Sequence, residues 1–507
     1  MFGKAQMSRH AGAAMALLCA LTTAQPAVAH QAVPAKLLAQ VEPRKGPKPR
    51  PGPDLVERGR RLFEEETFGG NGRTCATCHP ADNNFTLDPA YIATLPRRDP
   101  LFVAEFKPAL RDLEKPVLMR RHALILENLD GFDRPGVMRS VSHTLALGLT
   151  TAPDPATQPV PAGSAALQGA LGWSGDGSPG VGTLRTFAIG AVVQHMPRTL
   201  ARQDGVDFRL PTEDELDALE AFQLSLGRQP ADEVDRSVLD FAETDADIGR
   251  DMFFGINGRA LVVRDGTTRT CSGCHGNVNV NNSSGRNQNR STGVGRVANA
   301  PACLDASVPG DGGYGQTPVT TVSRAAVCGS GEGTITYIGT ELFNPPPLVE
   351  AADTAPFFHN NSAATLEEAI AFYNDDAFND ASPSAATTIP PLGRGFQLDG
   401  DQIRQLAAFL RGLNADENAR SAITLIDRAA TLNRGRAKQT LRLALGETRD
   451  AIRVLREVLP VPFAASGAVA SLVEARELLQ DAVQGNNVTV ASQARVALVR
   501  ARGQIVD

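Results

Sequence analysis

Apolar residues fall at helical spacing in short, well-separated stretches of this chain. Leu216, Leu219, Phe222 and Leu226 form one such stripe behind the acidic start Thr212-Glu213-Asp214-Glu215, which predicts a helix running to Leu226-Gly227. A second begins at Asp399-Gly400-Asp401 and closes at Leu413-Asn414. From Asp416 onward Ala, Leu, Arg and Glu recur with a period of roughly 3.6 residues, interrupted at Gly435, near Pro460-Val461-Pro462 and at Gly485-Asn486-Asn487. That pattern predicts three or four helices in a small bundle over residues 416–507. Elsewhere the 507-residue chain is rich in turn formers, with 47 Gly and 34 Pro, so the expected class is mainly α with long structured loops.

The two halves before the bundle echo one another. Gly59-Arg60-Arg61-Leu62-Phe63 and Gly249-Arg250-Asp251-Met252-Phe253 each read as the end of a short amphipathic helix. Extended Pro-containing strips follow at Phe132-Asp133-Arg134-Pro135 and Phe343-Asn344-Pro345-Pro346, then turns at Trp173-Ser174-Gly175-Asp176-Gly177 and Phe357-Phe358-His359-Asn360-Asn361. Thr183-Leu184 and Thr365-Leu366 then open helices. The divisions are a Pro- and Lys-rich lead-in at 30–53, a first domain at 54–230, and a second at 240–414 with a Gly/Asn-rich insertion at 276–340.

Each half carries one copy of Cys-x-x-Cys-His: Cys75-Ala76-Thr77-Cys78-His79 and Cys271-Ser272-Gly273-Cys274-His275. This spacing attaches a c-type haem, the thiols forming thioethers to the porphyrin vinyl groups and the imidazole reaching the iron. A zinc knuckle is the competing reading, but neither copy has a second Cys pair at zinc-finger spacing. The halves therefore read as two tandem cytochrome c-type haem domains with two covalent haems. Their irons rest on His79 and His275.

The N-terminus agrees with that chemistry, since such attachment follows export. Lys4, Arg9 and His10 form a positive region, Ala11–Thr22 an apolar one, and Ala27-Val28-Ala29 a small-residue cleavage site. A signal peptide at 1–29, cleaved after Ala29, predicts a periplasmic protein. No other stretch approaches the roughly 20 apolar residues of a membrane span. Of seven Cys, Cys19 lies in the leader and four serve the motifs. The remaining pair, Cys303 and Cys328, reads as a disulfide clipping a Gly/Ser/Thr-rich excursion, with a reactive thiol as the alternative. A net charge of -6 offers nothing to nucleic acid and suits a basic electron donor.

Residues 54–414 resemble the bacterial dihaem cytochrome c peroxidases and their MauG-type relatives. The resemblance is strongest at Thr354-Ala355-Pro356-Phe357-Phe358-His359-Asn360-Asn361 and Thr365-Leu366-Glu367-Glu368-Ala369. It implies that peroxide meets the His79 haem while the His275 haem stores or relays electrons from a small redox protein. By position in that family, Tyr373 is the distal ligand of the second iron; an interfacial core tyrosine is the other reading. A phenolate there favours high oxidation states. Trp173, the only tryptophan, matches a family residue that relays electrons between haems, or is a core anchor. The resemblance also implies a calcium held by carbonyls of Thr354 and Pro356 and an Asn, with Asn128 a guess.

The first half departs from the family pattern. Where the family places a distal Gln and then a Glu, this chain has Phe187 and Ala191, then Gln194-His195-Met196-Pro197. The expected carboxylate is missing. His195 either ligates the first iron, serves as the distal general base, or caps a helix. Met196, His143 and His122 are weaker distal candidates, and His359 resembles a family position near the haem interface. Two functions fit: a peroxidase-like enzyme reducing hydrogen peroxide, or a MauG-like oxidase of a protein or organic substrate, on one side; and on the other an electron-transfer cytochrome with both irons closed.

Overall fold

A computed structural model describes residues 52–506 except 130, 151–183, 230–232, 264–265, 280–289, 314–317, 340, 342, 344, 380–394, 457–462, 464 and 486. The expected leader, most of the expected lead-in and Trp173 lie outside the described residues.

The first half holds α1 (Pro53–Glu65), the single turn α2 (Cys75–Cys78), a two-stranded antiparallel ribbon of β1 (Leu124–Glu127) and β2 (Val137–Ser140), α3 (Leu184–His195) and α4 (Glu213–Leu224). The second half holds α5 (Thr244–Phe254), the strands β3 (Gly310–Asp311), β4 (Val319–Ser323) and β5 (Thr334–Ile338), then α6 (Leu366–Ala371) and α7 (Gly400–Ala429). Three more helices follow, α8 (Arg434–Arg456), α9 (Ala468–Gly485) and α10 (Val488–Arg502). The class is mainly α, with the expected helical bundle at the C-terminus.

The internal repeat is a repeated helix crossing. α1 meets α4 at Gly59, where a Cβ would stand 1.9 Å from the Ala218 carbonyl oxygen. Phe63, one turn later, lies edge-on to Phe222 with centroids 5.2 Å apart. In the second half a Cβ at Gly249 would stand 2.0 Å from the Gln405 carbonyl oxygen, and Phe253 sits 5.5 Å from Phe409. Only glycine lets the backbones approach this closely. The closing helices start where the acidic pattern placed them, through capping boxes between Thr212 and Glu215 and between Asp399 and Gln402.

The second closing helix does not stop at Asn414. α7 continues unbroken to Ala429 and becomes the first helix of the bundle. No Gly or Pro lies between Leu413 and Ala429, and Asn414 is spent sideways instead of terminating the helix. Its side chain accepts from the Asp353 N–H at 3.0 Å and donates to Asn418 at 3.3 Å. The insertion forms a three-stranded sheet, with β5 central, parallel to β3 and antiparallel to β4. Cys303, ahead of β3, and Cys328, between β4 and β5, stand at disulfide distance with Cα atoms 5.5 Å apart.

Asp353 lies where both halves and the bundle meet. Its carboxylate accepts from Asn418 of α7 at 2.8 Å, while its carbonyl accepts from Asn84 of the first half at 3.2 Å and from Arg453 of α8 at 3.3 Å. Its second carboxylate oxygen, Oδ1, is buried without a hydrogen-bond partner. Burial, aided by the nearby Asp450 charge, pushes the carboxyl up to about 7. An unfolded Asp ionises near ~3.9, so the folded chain holds the extra proton between these values and stability falls as pH rises through that window. Asp353→Asn is therefore expected to stabilise the protein at pH 8 and to make little difference below about pH 4. Urea unfolding at both pH values measures this, and no gain at pH 8 refutes it.

Candidate functional site

Both Cys-x-x-Cys-His motifs are held in the same way. In the first, α2 is one helical turn, opened by a capping box between Thr74 and Thr77 and closed by the His79 N–H donating to the Cys75 carbonyl at 3.0 Å. The His79 Nδ1 donates to the Phe85 carbonyl at 2.9 Å, which fixes the tautomer and leaves Nε2 as the free lone pair. Burial lowers the His79 imidazole below its ordinary range, keeping it neutral. Burial also pushes the Cys75 and Cys78 thiols up to about 12 and about 11.

The second motif repeats this with a tighter turn, Cys271–Gly273. The His275 N–H donates to the Cys271 carbonyl at 2.9 Å, and its Nδ1 donates to the Pro346 carbonyl at 3.1 Å. Burial lowers the imidazole to about 4 and pushes the Cys271 thiol up to about 12. Among the described residues no three His, Cys, Asp or Glu converge to hold a metal ion. Thioether attachment of a haem asks the thiols and the imidazole to engage different atoms of one group, so it calls for no such cluster.

Tyr373 stands opposite His275. Its hydroxyl lies 3.4 Å from the His275 Nε2, the lone pair left free by the Pro346 contact. The ring is held edge-on by Phe378 at 4.8 Å and by Phe372 and Phe396 at 6.0 Å. Burial pushes the phenol well above its ordinary range. Two donor atoms therefore face each other in an apolar setting.

The surroundings of His79 differ. α3 ends at His195, whose Nε2 is 3.9 Å from a carboxylate oxygen of Glu127. A clamp one residue away brings them together: Gln194 donates to the Leu126 carbonyl and the Asn128 Oδ1, each at 3.2 Å, and accepts from the Asn128 N–H at 3.3 Å. Asn71 donates to the His195 carbonyl at 2.9 Å. The His195 Nδ1 is buried without a hydrogen-bond partner. Burial alone would raise Glu127, but His195 and the Arg139 guanidinium outweigh it and hold the carboxyl low. The charges of His195 and Glu127 both act on His79. A carboxylate thus faces His195, and it comes from the end of β1 and not from the α3 stretch. Periodicity within one helix carries no signal for a partner on a distant strand.

No family model matches the chain. It is 36% identical to the cytochrome-c peroxidase IdrP1 of Denitromonas iodatirespirans over 75 residues. That is a likeness to a peroxidase-like cytochrome. The chain spans 18% of that relative's length, and the match takes in 15% of this chain.

The remaining candidates separate. His143 stays beside the first motif: it is buried, its Nδ1 accepts from the Leu145 N–H at 3.3 Å, and burial with the Arg228 and His79 charges lowers it to about 3. Met196 is buried in the apolar cluster of Phe63 and Phe68. His122 ends the helix Pro116–His122 and is partly exposed. His359 is buried between the halves, stacked on Phe343 with centroids 3.9 Å apart. At the strip that the resemblance gave to calcium, the Thr354 hydroxyl donates to the Glu350 carbonyl at 2.8 Å, and Pro356 follows a cis peptide. Asn128 is engaged by Gln194 and the Arg134 carbonyl instead. The amide that reaches this strip from the first half is Asn84.

Proposed function

We propose that the protein is an exported dihaem c-type oxidoreductase that reduces hydrogen peroxide at the first site with electrons entering through the second. The observation that carries this is the asymmetry between two like motifs: an acid–base pair lies beside His79, and a phenol faces His275. Cys75, Cys78 and His79 would hold one haem, and Cys271, Cys274, His275 and Tyr373 the other. When bound, these groups supply the redox-active iron.

The protein's own contribution is proton handling and positioning. Glu127 orients His195 from the Nε2 side, leaving Nδ1 to exchange a proton with peroxide. His195 is placed to take the proton from one peroxide oxygen and return it to the departing one, which leaves as water. Reduction to two waters consumes two electrons and two protons, and the electrons come from a small redox protein. Tyr373 favours retention of oxidising power at the second site, which supports a MauG-like oxidation of a protein or organic substrate as a variant of this chemistry. The His195 Nδ1 lacking a partner also suits a second reading, in which His195 closes the first site and the protein only moves electrons.

Electron paramagnetic resonance of the ferric holoprotein, titrated with stoichiometric peroxide, tests the reading. A high-spin signal consumed by peroxide supports it. Two low-spin signals indifferent to peroxide overturn it in favour of electron transfer. Tyr373→Met is expected to raise the reduction potential of the second site, because a thioether stabilises the reduced iron, while leaving the first site's spectrum intact. Spectroelectrochemistry measures this, and an unchanged potential argues against Tyr373 as a ligand.

A further inference from the structure

Glu127 does not have His195 to itself. In the β1–β2 ribbon Ile125 pairs with Arg139 and Glu127 with Val137, so Glu127 and Arg139 project from one face as diagonal neighbours. Arg139 is 3% exposed. An arginine buried beside a carboxylate would ordinarily capture it in a two-pronged pair, drawing Glu127 away from the imidazole. Here Arg139 is held by another acid. Asp311 of β3 receives it at 2.7 and 3.0 Å through both carboxylate oxygens.

Asp311 is anchored from several directions. It is 6% exposed, and its Oδ1 also accepts from the Gly313 N–H at 2.8 Å. The His359 Nε2 lies 3.6 Å from its Oδ2, and the His359 carbonyl accepts from the Ser140 N–H at the end of β2 at 2.7 Å. Val308, just before β3, packs with Leu118, Leu124 and Met138 of the first half. Lys115 reaches Ser307 at 3.1 Å. The second half's insertion is therefore docked on the ribbon that carries Glu127.

We infer that Asp311 is a positioning residue for the His195–Glu127 pair: by holding Arg139, it leaves Glu127 to the imidazole. The insertion of one half thereby completes the acid–base site of the other. The charged groups acting on Glu127 are His195 from α3, Arg139 from β2 and Asp311 from β3. Attraction to Arg139 and repulsion from Asp311 oppose each other there, and removing the Asp311 charge leaves only the attraction. The inference deepens the proposed peroxide chemistry and rests on that reading for its kinetic consequence.

The test compares the holoprotein with Asp311→Asn and with the double variant Arg139→Met/Asp311→Asn. Two readouts are taken: the second-order rate with hydrogen peroxide from pH 5 to 9, and the pH midpoint of the ferric first-site optical spectrum. Asp311→Asn is expected to slow the peroxide reaction roughly ten- to a hundredfold and to move the first-site optical midpoint, because Arg139 then draws Glu127 to itself. The double variant is expected to recover most of both, because the stray positive charge is gone. A merely structural role predicts the opposite order, with the double variant no better than the single and the midpoint unmoved; that result overturns the inference. If the unaltered protein ignores peroxide yet the midpoints move and recover as stated, the positioning role stands and the peroxidase reading fails. If it consumes peroxide and Asp311→Asn matches it in both readouts, the reading stands and the inference fails.

Discussion

A chain in which Cys75 and Cys78 are both serine is expected to carry one covalent haem, and the unaltered protein two. α2 is a single turn that places the two thiols three residues apart, with His79 next in sequence. Serine keeps the turn and its size but forms no thioether, so a group bound through His79 alone is lost on denaturation. Haem staining after denaturing electrophoresis, with pyridine haemochrome per mole of chain, should fall by half. The matching Cys271→Ser/Cys274→Ser variant should fall equally, and the fourfold variant should retain none. An unchanged ratio in either double variant would remove that motif from the account. Loss at the first site should also lower thermal stability, because Cys75 packs against the cluster of Phe63, Phe68 and Phe222.

His195→Ala should slow the reaction with peroxide by about 10²–10⁴-fold, the usual contribution of a positioned proton-transfer group. Glu127→Gln should cost less, because it removes the orienting charge and not the base. The two effects should not add, since the residues act as one unit. Stopped-flow mixing of the ferric protein with peroxide at neutral pH measures both variants and the double variant His195→Ala/Glu127→Gln. A rate that rises in His195→Ala would carry a different message: the imidazole had been closing the first site, and the electron-transfer reading would take the place of the enzyme. An unchanged rate would remove His195 from both accounts.

Glu127 marks where reading along the chain stops. The stretch after Leu184 displays His195 in the motif-like run Gln194-His195-Met196-Pro197 and holds no acid of its own. Glu127 belongs to another element, and its place depends on the Gln194 clamp across to Leu126 and Asn128. Asp311 is harder still to foresee, since a Gly/Asn-rich insertion carries no periodicity to say which neighbour it will cover. The length of α7 has a local cause hidden from the sequence: Asn414 reads as a helix end, but its side chain bonds Asp353 and Asn418 and the helix runs on.

Local chemistry determined the rest. The two Cys-x-x-Cys-His turns, the capped closing helices, the Gly-Phe crossings of the repeat and the helical bundle depend on spacings of a few residues, where sterics and backbone hydrogen bonding decide the outcome. Tyr373 stood out through resemblance alone, and its 3.4 Å approach to the His275 Nε2 is a contact that only the fold displays. Tertiary structure alone decided which carboxylate faces His195 and which acid occupies Arg139. Such pairings join side chains far apart in sequence, and their energies depend on burial and distance, which no local pattern encodes.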